Sequence, residues 1–263
     1  MKVRIDILLV KRNLVESRAK ARWLIKKGYV LVNNRHISKP GKKIDNTLEI
    51  ELLEDFPYVG RGGLKLEAAL TDFSISVEGK ICADIGASIG GFTDCLLKHG
   101  ALRVYVIDTA TELLHQSLIT EQKRGKIIPM LGVDARNLIF IEEKLDMCAI
   151  DVTFASITQI LPNIKSLLKR NGDIIALIKP IFEIDFHSKK KFRNIKNENQ
   201  LFKILEDLIH WCTNHEFHLQ NIIRSPLLGK ERSIEFLIHL RVDKPCKEID
   251  YFMRIREILS KVY

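Results

Sequence analysis

The chain has 263 residues, 46% of them hydrophobic, with 42 Lys and Arg against 33 Asp and Glu. That length and apolar content support one large domain or two unequal ones, and they exclude wholesale disorder and low-complexity architectures. The formal charge of +9 is concentrated at one end: residues 1–43 hold 13 basic groups and only two acids, Asp6 and Glu16, while the rest is nearly neutral, as a polyanion-binding module joined to a neutral body would be.

The first apolar run, Ile7 to Val10, is far too short for a signal peptide or a membrane span. From Ser17 the chain reads S-R-A-K-A-R-W-L-I-K-K-G, which predicts a helix capped by Ser17 and stopped by Gly28. Ala21, Leu24 and Ile25 form its apolar stripe; Arg18, Arg22 and Lys26 recur at helical spacing on an exposed face, with Lys27 beside them. Two short strand-like runs follow around Asn33-Asn34, a hairpin signal, then a basic turn at residues 39–43 and an alternating strand over Thr47 to Leu53. A basic helix beside a small hairpin can bridge phosphates across a structured RNA.

The string R-I-D-I-L-L-V-K-R-N-L-V-E-S-R-A-K-A-R-W-L-I-K-K-G-Y-V-L-V-N, from Arg4, resembles the S4 RNA-binding domain of ribosomal proteins, pseudouridine synthases and some methyltransferases, and the resemblance covers residues 3 to about 53. The RNA contacts expected in this module are Arg4, Arg18, Lys20, Arg22, Lys26 and Lys27. The domain division expected is 1–57 for the S4-like part and 58–263 for the remainder.

From Lys80 apolar strand-like runs alternate with helical stretches: Ile81–Ile85, Val104–Asp108, Ile127–Leu131, Met147–Val152 and Ile174–Ile178, with helices following Phe92, Glu112, Ala155 and Glu198. That rhythm predicts an α/β fold with a mostly parallel sheet, closed by a strand pair at Glu216–Arg224 and Ile234–Arg241. Asp84 to Asp94, D-I-G-A-S-I-G-G-F-T-D, carries glycines that would let the backbone approach a ligand before a helix starts. Its spacing departs from the dinucleotide fingerprint, which weakens a dehydrogenase reading and suits S-adenosylmethionine, a cofactor without a pyrophosphate.

Asp84, Gly86, Ala87, Ser88 and Gly90 of this loop, Asp108 for the ribose hydroxyls and Asp134 for the adenine amino group are the expected cofactor contacts. Lys65, Asp151, Lys179 and Glu235 stand out by position; Asp151 and Lys179 end strands and should face the crevice outside a parallel sheet. The five cysteines, Cys82, Cys95, Cys148, Cys212 and Cys246, form no C-x-x-C pair, so a reducing, cytoplasmic location without a structural metal is expected.

The segments P-Y-V-G-R-G-G-L-K-L-E-A-A-L, D-I-G-A-S-I-G-G-F-T-D-C-L-L, V-Y-V-I-D, D-V-T-F-A-S-I, L-I-K-P-I-F-E and I-E-F-L resemble the TlyA (haemolysin A) family of ribosomal RNA 2′-O-methyltransferases, which share their catalytic domain type with FtsJ-like enzymes. The resemblance implies a class I, Rossmann-like methyltransferase sheet, S-adenosylmethionine as cofactor and ribosomal RNA or ribosomal subunits as partner, with a cytidine ribose as acceptor. It maps the family's Lys-Asp-Lys-Glu set onto Lys65, Asp151, Lys179 and Glu235. Lys179 is then the expected base. A free lysine, with a pKa near ~10.4, would be charged, so burial and the like charge of Lys65 are expected to lower it. This chain departs from the family pattern at Ile89, at Thr109-Ala110-Thr111, around Asp134 and after Glu183, where a basic run of Lys189, Lys190, Lys191, Arg193 and Lys196 follows. Two other readings are an RNA-binding factor without catalysis and a haemolysin; no segment is apolar enough to span a membrane, and no stable membrane association is expected.

Overall fold

In the computed structural model, which describes residues 1–112, 114–153, 155–184, 195, 197–229, 233–242 and 250–260, the chain divides into two compact units, Met1–Arg61 and Gly62–Tyr263. The basic run 189–196, apart from Ile195, and Cys246 lie outside the described residues.

In the first unit the elements are β1 (Lys2–Arg4), α1 (Ile5–Lys11), α2 (Arg18–Lys27), β2 (Val30–Val32), β3 (Arg35–His36), β4 (Lys43–Asp45) and β5 (Ile50–Leu52). α2 starts where Ser17 Oγ accepts the Lys20 N–H at 3.3 Å, and it stops at Gly28, whose φ of +81° only glycine adopts cheaply. Asn33 and Asn34 both take positive φ, which turns β2 back onto β3 in a two-residue hairpin. β5 pairs on the other side of β2, and β1 pairs antiparallel with β4. The run from Ile7 to Val10 is helical, in α1, where Leu8 and Leu9 join Ile5, Leu24, Ile25 and Val30 in the core of this unit.

The second unit contains α3 (Arg61–Asp72), β6 (Ile81–Ile85), α4 (Gly91–Lys98), β7 (Arg103–Asp108), α5 (Ile119–Lys123), β8 (Ile127–Leu131), β9 (Leu145–Ile150), α6 (Leu161–Leu167), β10 (Leu168–Ile178), α7 (Glu198–Asn214), β11 (His218–Arg224), β12 (Phe236–Arg241) and α8 (Tyr251–Ser260). Seven strands form one sheet in the order β11-β12-β10-β9-β6-β7-β8. β8, β7, β6, β9 and β10 run parallel; β12 lies antiparallel to both β10 and β11. The chain steps outward from β6 through β7 to β8, then crosses to β9 on the other side of β6. That reversal opens a crevice at the carboxyl ends of β6 and β9. The sheet core includes Ile85, Ile107, Leu145, Ile150, Ile178 and Phe236, all at most 1% exposed. Continuous apolar runs of this kind are expected of strands covered on both faces.

Two expected elements differ. The helix after Glu112 is only a short 3-10 turn, Gln116–Leu118, running into α5, and the one after Ala155 begins as a 3-10 turn, Ile157–Gln159. α3 and α8 have no counterpart in the sequence reading. Among the described residues, no helix is long and apolar enough to cross a membrane.

Candidate active site

Sheet register brings the expected site residues to one edge. Ile85 of β6 is level with Ile107 of β7 and Ile150 of β9, so Gly86, Asp108 and Asp151 follow side by side. Ile178 of β10 faces Phe236 of β12, which sets Lys179 and Glu235 at the same edge, one residue beyond the pairing.

Two lysine–carboxylate pairs form here. Lys179 Nζ donates to Asp151 Oδ1 and, at 2.8 Å, to the Val152 carbonyl. Lys65 Nζ, one turn into α3, donates to Glu235 Oε2 at 2.5 Å. The lysine side chains are 13% and 11% exposed, and Glu235 is 4% exposed. Charges so removed from water need partners, and each lysine has one. Lys65 and Lys179 each face a carboxylate of their own, Glu235 and Asp151.

Glycines position both pairs. A Cβ on Gly86, φ +80°, would lie 2.5 Å from the Asp151 carbonyl oxygen, and one on Gly229 would lie 2.0 Å from Glu235 Oε1. A Cβ on Gly91 would lie 3.3 Å from Gly63 N, so the starts of α3 and α4 meet backbone to backbone. Two glycines of the loop after β6 are also required by the protein itself: Gly86 by Asp151, and Gly90, φ +91°, by Leu118 Cδ1 at 2.4 Å. Within this loop Ala87 is buried, while Ser88 is exposed, with φ +52°.

The three acids expected at the cofactor differ in environment. Asp84 is fully buried; its Oδ2 accepts the Thr93 N–H at 2.8 Å and the Thr93 hydroxyl at 2.6 Å, bracing the loop between β6 and α4. Its Oδ1 has no hydrogen-bond partner among the described residues. Burial, with the charges of Asp151 and Asp108 adding to it, pushes the Asp84 carboxyl up to about 7 against the pull of Thr93. Asp108 is half-buried at the end of β7, and its two oxygens accept the Ser88 and Ala110 N–H groups at 2.8 and 2.9 Å. Asp134 caps the 3-10 turn Ala135–Asn137 and is gripped by the Arg136 guanidinium, which holds its carboxyl below the ordinary range. Asp84 therefore supports the loop from beneath, while Asp108 borders its open side.

Sequence reasoning missed Thr93 and, more importantly, Glu183, quoted only as the end of a segment. Glu183 accepts from Ser156 Oγ at 2.5 Å and from the Ile157 N–H at 3.3 Å, and burial pushes its carboxyl up to about 7. The signal was available: an acid four residues beyond a strand-terminal lysine, between apolar neighbours.

In the first unit, Arg4, Arg18 and Arg22 converge on the fully buried Asp6 at 3.0, 2.9 and 3.6 Å. Burial acts to raise the Asp6 pKa, but hydrogen bonds and charge from Arg4 and Arg18 overcome it and leave it below the ordinary value. Arg18, Arg22, Lys26 and Lys27 are exposed, as the helical spacing required. Lys20 differs from them in environment: it is 9% exposed, pairs with Glu16 at 2.6 Å and lies 5.4 Å from the Phe56 ring centroid. It stands on the α2 flank that Phe56 covers, where an apolar stem is worth more than an exposed charge.

A doubly wound parallel sheet ending in an antiparallel strand pair, with acids and paired lysines along its carboxyl edge, defines a class I methyltransferase. The chain belongs to the FtsJ-like methyltransferase family, whose model matches residues 58–242, and carries an S4 domain over residues 3–50. It is 38% identical to hemolysin A of Brachyspira hyodysenteriae, over 90% of this chain and 99% of that protein. It is 30% identical to the 16S/23S rRNA (cytidine-2′-O)-methyltransferase TlyA of Mycobacterium tuberculosis, over 91% of this chain and 90% of that one. A solved structure described as a hemolysin candidate from Streptococcus thermophilus is 35% identical and superposes with a TM-score of 0.72, covering 99% of this chain and 95% of that one.

Proposed function

We propose that this chain transfers a methyl group from S-adenosylmethionine to the 2′-hydroxyl of a cytidine ribose in ribosomal RNA, held on an assembled subunit in the cytoplasm. The observation that carries this reading is the pair of buried lysine–carboxylate contacts at the carboxyl edge of a methyltransferase sheet. Similarity to the mycobacterial TlyA enzyme supports the acceptor, and the S4 domain supports structured RNA as partner.

The cofactor edge fits the ligand by its donor set. Two carboxyl groups, Asp108 at the end of β7 and Asp151 just past β9, flank the loop that Asp84 braces from beneath, and the buried Asp84 Oδ1 has no hydrogen-bond partner among the described residues. Such an edge favours a cationic ligand rich in hydroxyl donors and disfavours a phosphate. When bound, S-adenosylmethionine supplies an electrophilic methyl group whose transfer leaves the bonding electron pair on sulfur. Asp108 would accept the ribose hydroxyls, the backbone of Gly86 to Gly90 would wall the site, and Asp134, already engaged by Arg136, would border the adenine. The acceptor oxygen must shed its proton as it attacks, so Lys179, once it has released one proton of its own ammonium to solvent, is assigned as the base that takes it. Asp151 stabilises the ammonium that results, and the Lys65–Glu235 pair orients the ribose. Much of the acceleration then comes from alignment of the two reactants.

The test is transfer of a labelled methyl group to ribosomal subunits, with the product mapped to the nucleotide. The wild-type chain is expected to label a cytidine ribose, and Lys179→Ala to lose about 100-fold or more in kcat, the scale of general-base catalysis. Labelling of a base rather than a ribose, or undiminished activity in Lys179→Ala, contradicts this assignment. RNA retention without any labelling supports a non-catalytic ribosome-binding factor.

A further inference from the structure

We propose that Glu183 is a positioning residue for methyl transfer, fastening the segment that carries Asp151 to the segment that carries Lys179. The inference rests on the reaction assigned above, with that lysine and that aspartate acting at the acceptor. One segment leaves β9 and runs from Asp151 to Ile157; the other leaves β10 and runs from Lys179 to Glu183. They are joined at two separate points. At the near point Lys179 Nζ holds Asp151 and the Val152 carbonyl. At the far point Glu183 Oε2 accepts the Ser156 hydroxyl at 2.5 Å and Glu183 Oε1 accepts the Ile157 N–H at 3.3 Å.

The spacing between the two fastenings is fixed by a stiff connector. Pro180 opens a 3-10 turn, with the Phe182 N–H donating to the Lys179 carbonyl at 2.8 Å and the Glu183 N–H to the Pro180 carbonyl at 3.2 Å. Proline locks its own φ, which with these two hydrogen bonds stiffens the turn between the lysine and the glutamate. Ser156 is anchored in turn: it caps the following 3-10 turn, accepting the Thr158 N–H at 3.1 Å. Removing Glu183 leaves the Lys179 contact as the remaining side-chain tie between the two segments among the hydrogen bonds of the described residues. A misplacement of about 1 Å at reacting groups can cost on the order of 100-fold in rate.

The surroundings favour a fastening over a second catalytic acid. Glu183 is half-buried, and its carboxyl is directed to Ser156 and Ile157, not to Asp151 or Lys179. Its charge also reaches α7, where burial first and Glu183 second push the Cys212 thiol up to about 12.

The experiment compares Glu183→Ala, Glu183→Gln and Ser156→Ala with the wild-type chain. Glu183→Ala is expected to lower kcat about 10- to 100-fold while affinity for S-adenosylmethionine stays within about twofold. Hydrogen exchange at the Ile157 amide, a readout that needs no catalysis, speeds up in the same variant. Glu183→Gln can still accept from Ile157 and donate to Ser156 Oγ, so it recovers most of kcat, and Ser156→Ala falls between. The proposal is overturned by a kcat in Glu183→Ala within about twofold of wild type, by equal losses in the Ala and Gln variants, or by unchanged exchange at Ile157. An inactive wild-type chain would strike the assigned reaction instead, and the exchange comparison would still judge the fastening.

Discussion

Asp84 and Asp108 are both acids at the ends of neighbouring strands, yet one is sealed under a loop and the other borders its open side. The sealed carboxyl has a consequence in solution. Its folded-state pKa, about 7, lies above the unfolded value of 3.8, so the native state binds a proton the unfolded chain has released. Stability from this group is fully present below pH 3.8, falls as pH rises through the window from 3.8 to 7, and levels off above it. Thermal melts from pH 4 to 8 in Asp84→Asn should lack that decline; an identical slope in the variant would remove Asp84 as its source. The residue also illustrates what sequence conveys. D-I-G-A-S-I-G-G announces a strand ending at a tight loop, but whether its first acid meets a ligand or props the loop depends on Thr93, nine positions on.

At the scale of elements, the loop between β6 and α4 is fitted to its neighbours through glycine. Gly90 combines a φ of +91° with Leu118 Cδ1 2.4 Å from where a Cβ would stand. Gly90→Ala should destabilise by about 1–3 kcal/mol, part backbone and part overpacking, and lower the melting temperature by several degrees. A melting temperature equal to wild type would mean that Leu118 yields without cost. At the sheet end away from the site, Asp173 of β10 accepts from His239 at 2.9 Å and Arg241 at 2.7 Å, both on β12. Burial opposes its charge, but these partners win and hold it at about 2. This carboxyl is depressed, so its contribution of about 2 kcal/mol is present above pH 3.8 and is lost as pH falls from 3.8 through 2. Acid titration of Asp173→Asn should show a shallower loss of stability across that window than wild type.

For the whole molecule, most of the excess positive charge resides in the first unit, where buried Asp6 gathers Arg4, Arg18 and Arg22. Three guanidinium groups around one carboxylate leave a net positive cluster with its geometry set in advance, which suits the phosphates of a folded RNA. Replacing Arg18, Arg22 or Lys26 with alanine should weaken RNA binding about equally across sequences and reduce the log–log salt slope by about one per contact. Replacing Lys20 should leave that slope unchanged, because its ammonium is spent on Glu16 and Phe56. Filter binding over a range of salt concentrations separates the two outcomes.

The charge asymmetry, the capped basic helix, the Asn-Asn hairpin and the alternation of strands and helices were all legible in the amino-acid order, because caps, turns and periodicity act over a few residues. The short helices near Gln116 and Ile157 were not sharply legible: their apolar positions are too few to define a period, and sheet packing decides where they start. Partner choice and burial were decided by tertiary structure alone. Lys65 meets Glu235 across 170 positions, Lys179 meets Asp151 across 28, and Glu183 reaches back 27 to Ser156. Each meeting depends on the order in which strands enter the sheet. A sequence states which charges exist; only the folded sheet determines which of them share a low-dielectric edge, and so which must be paired.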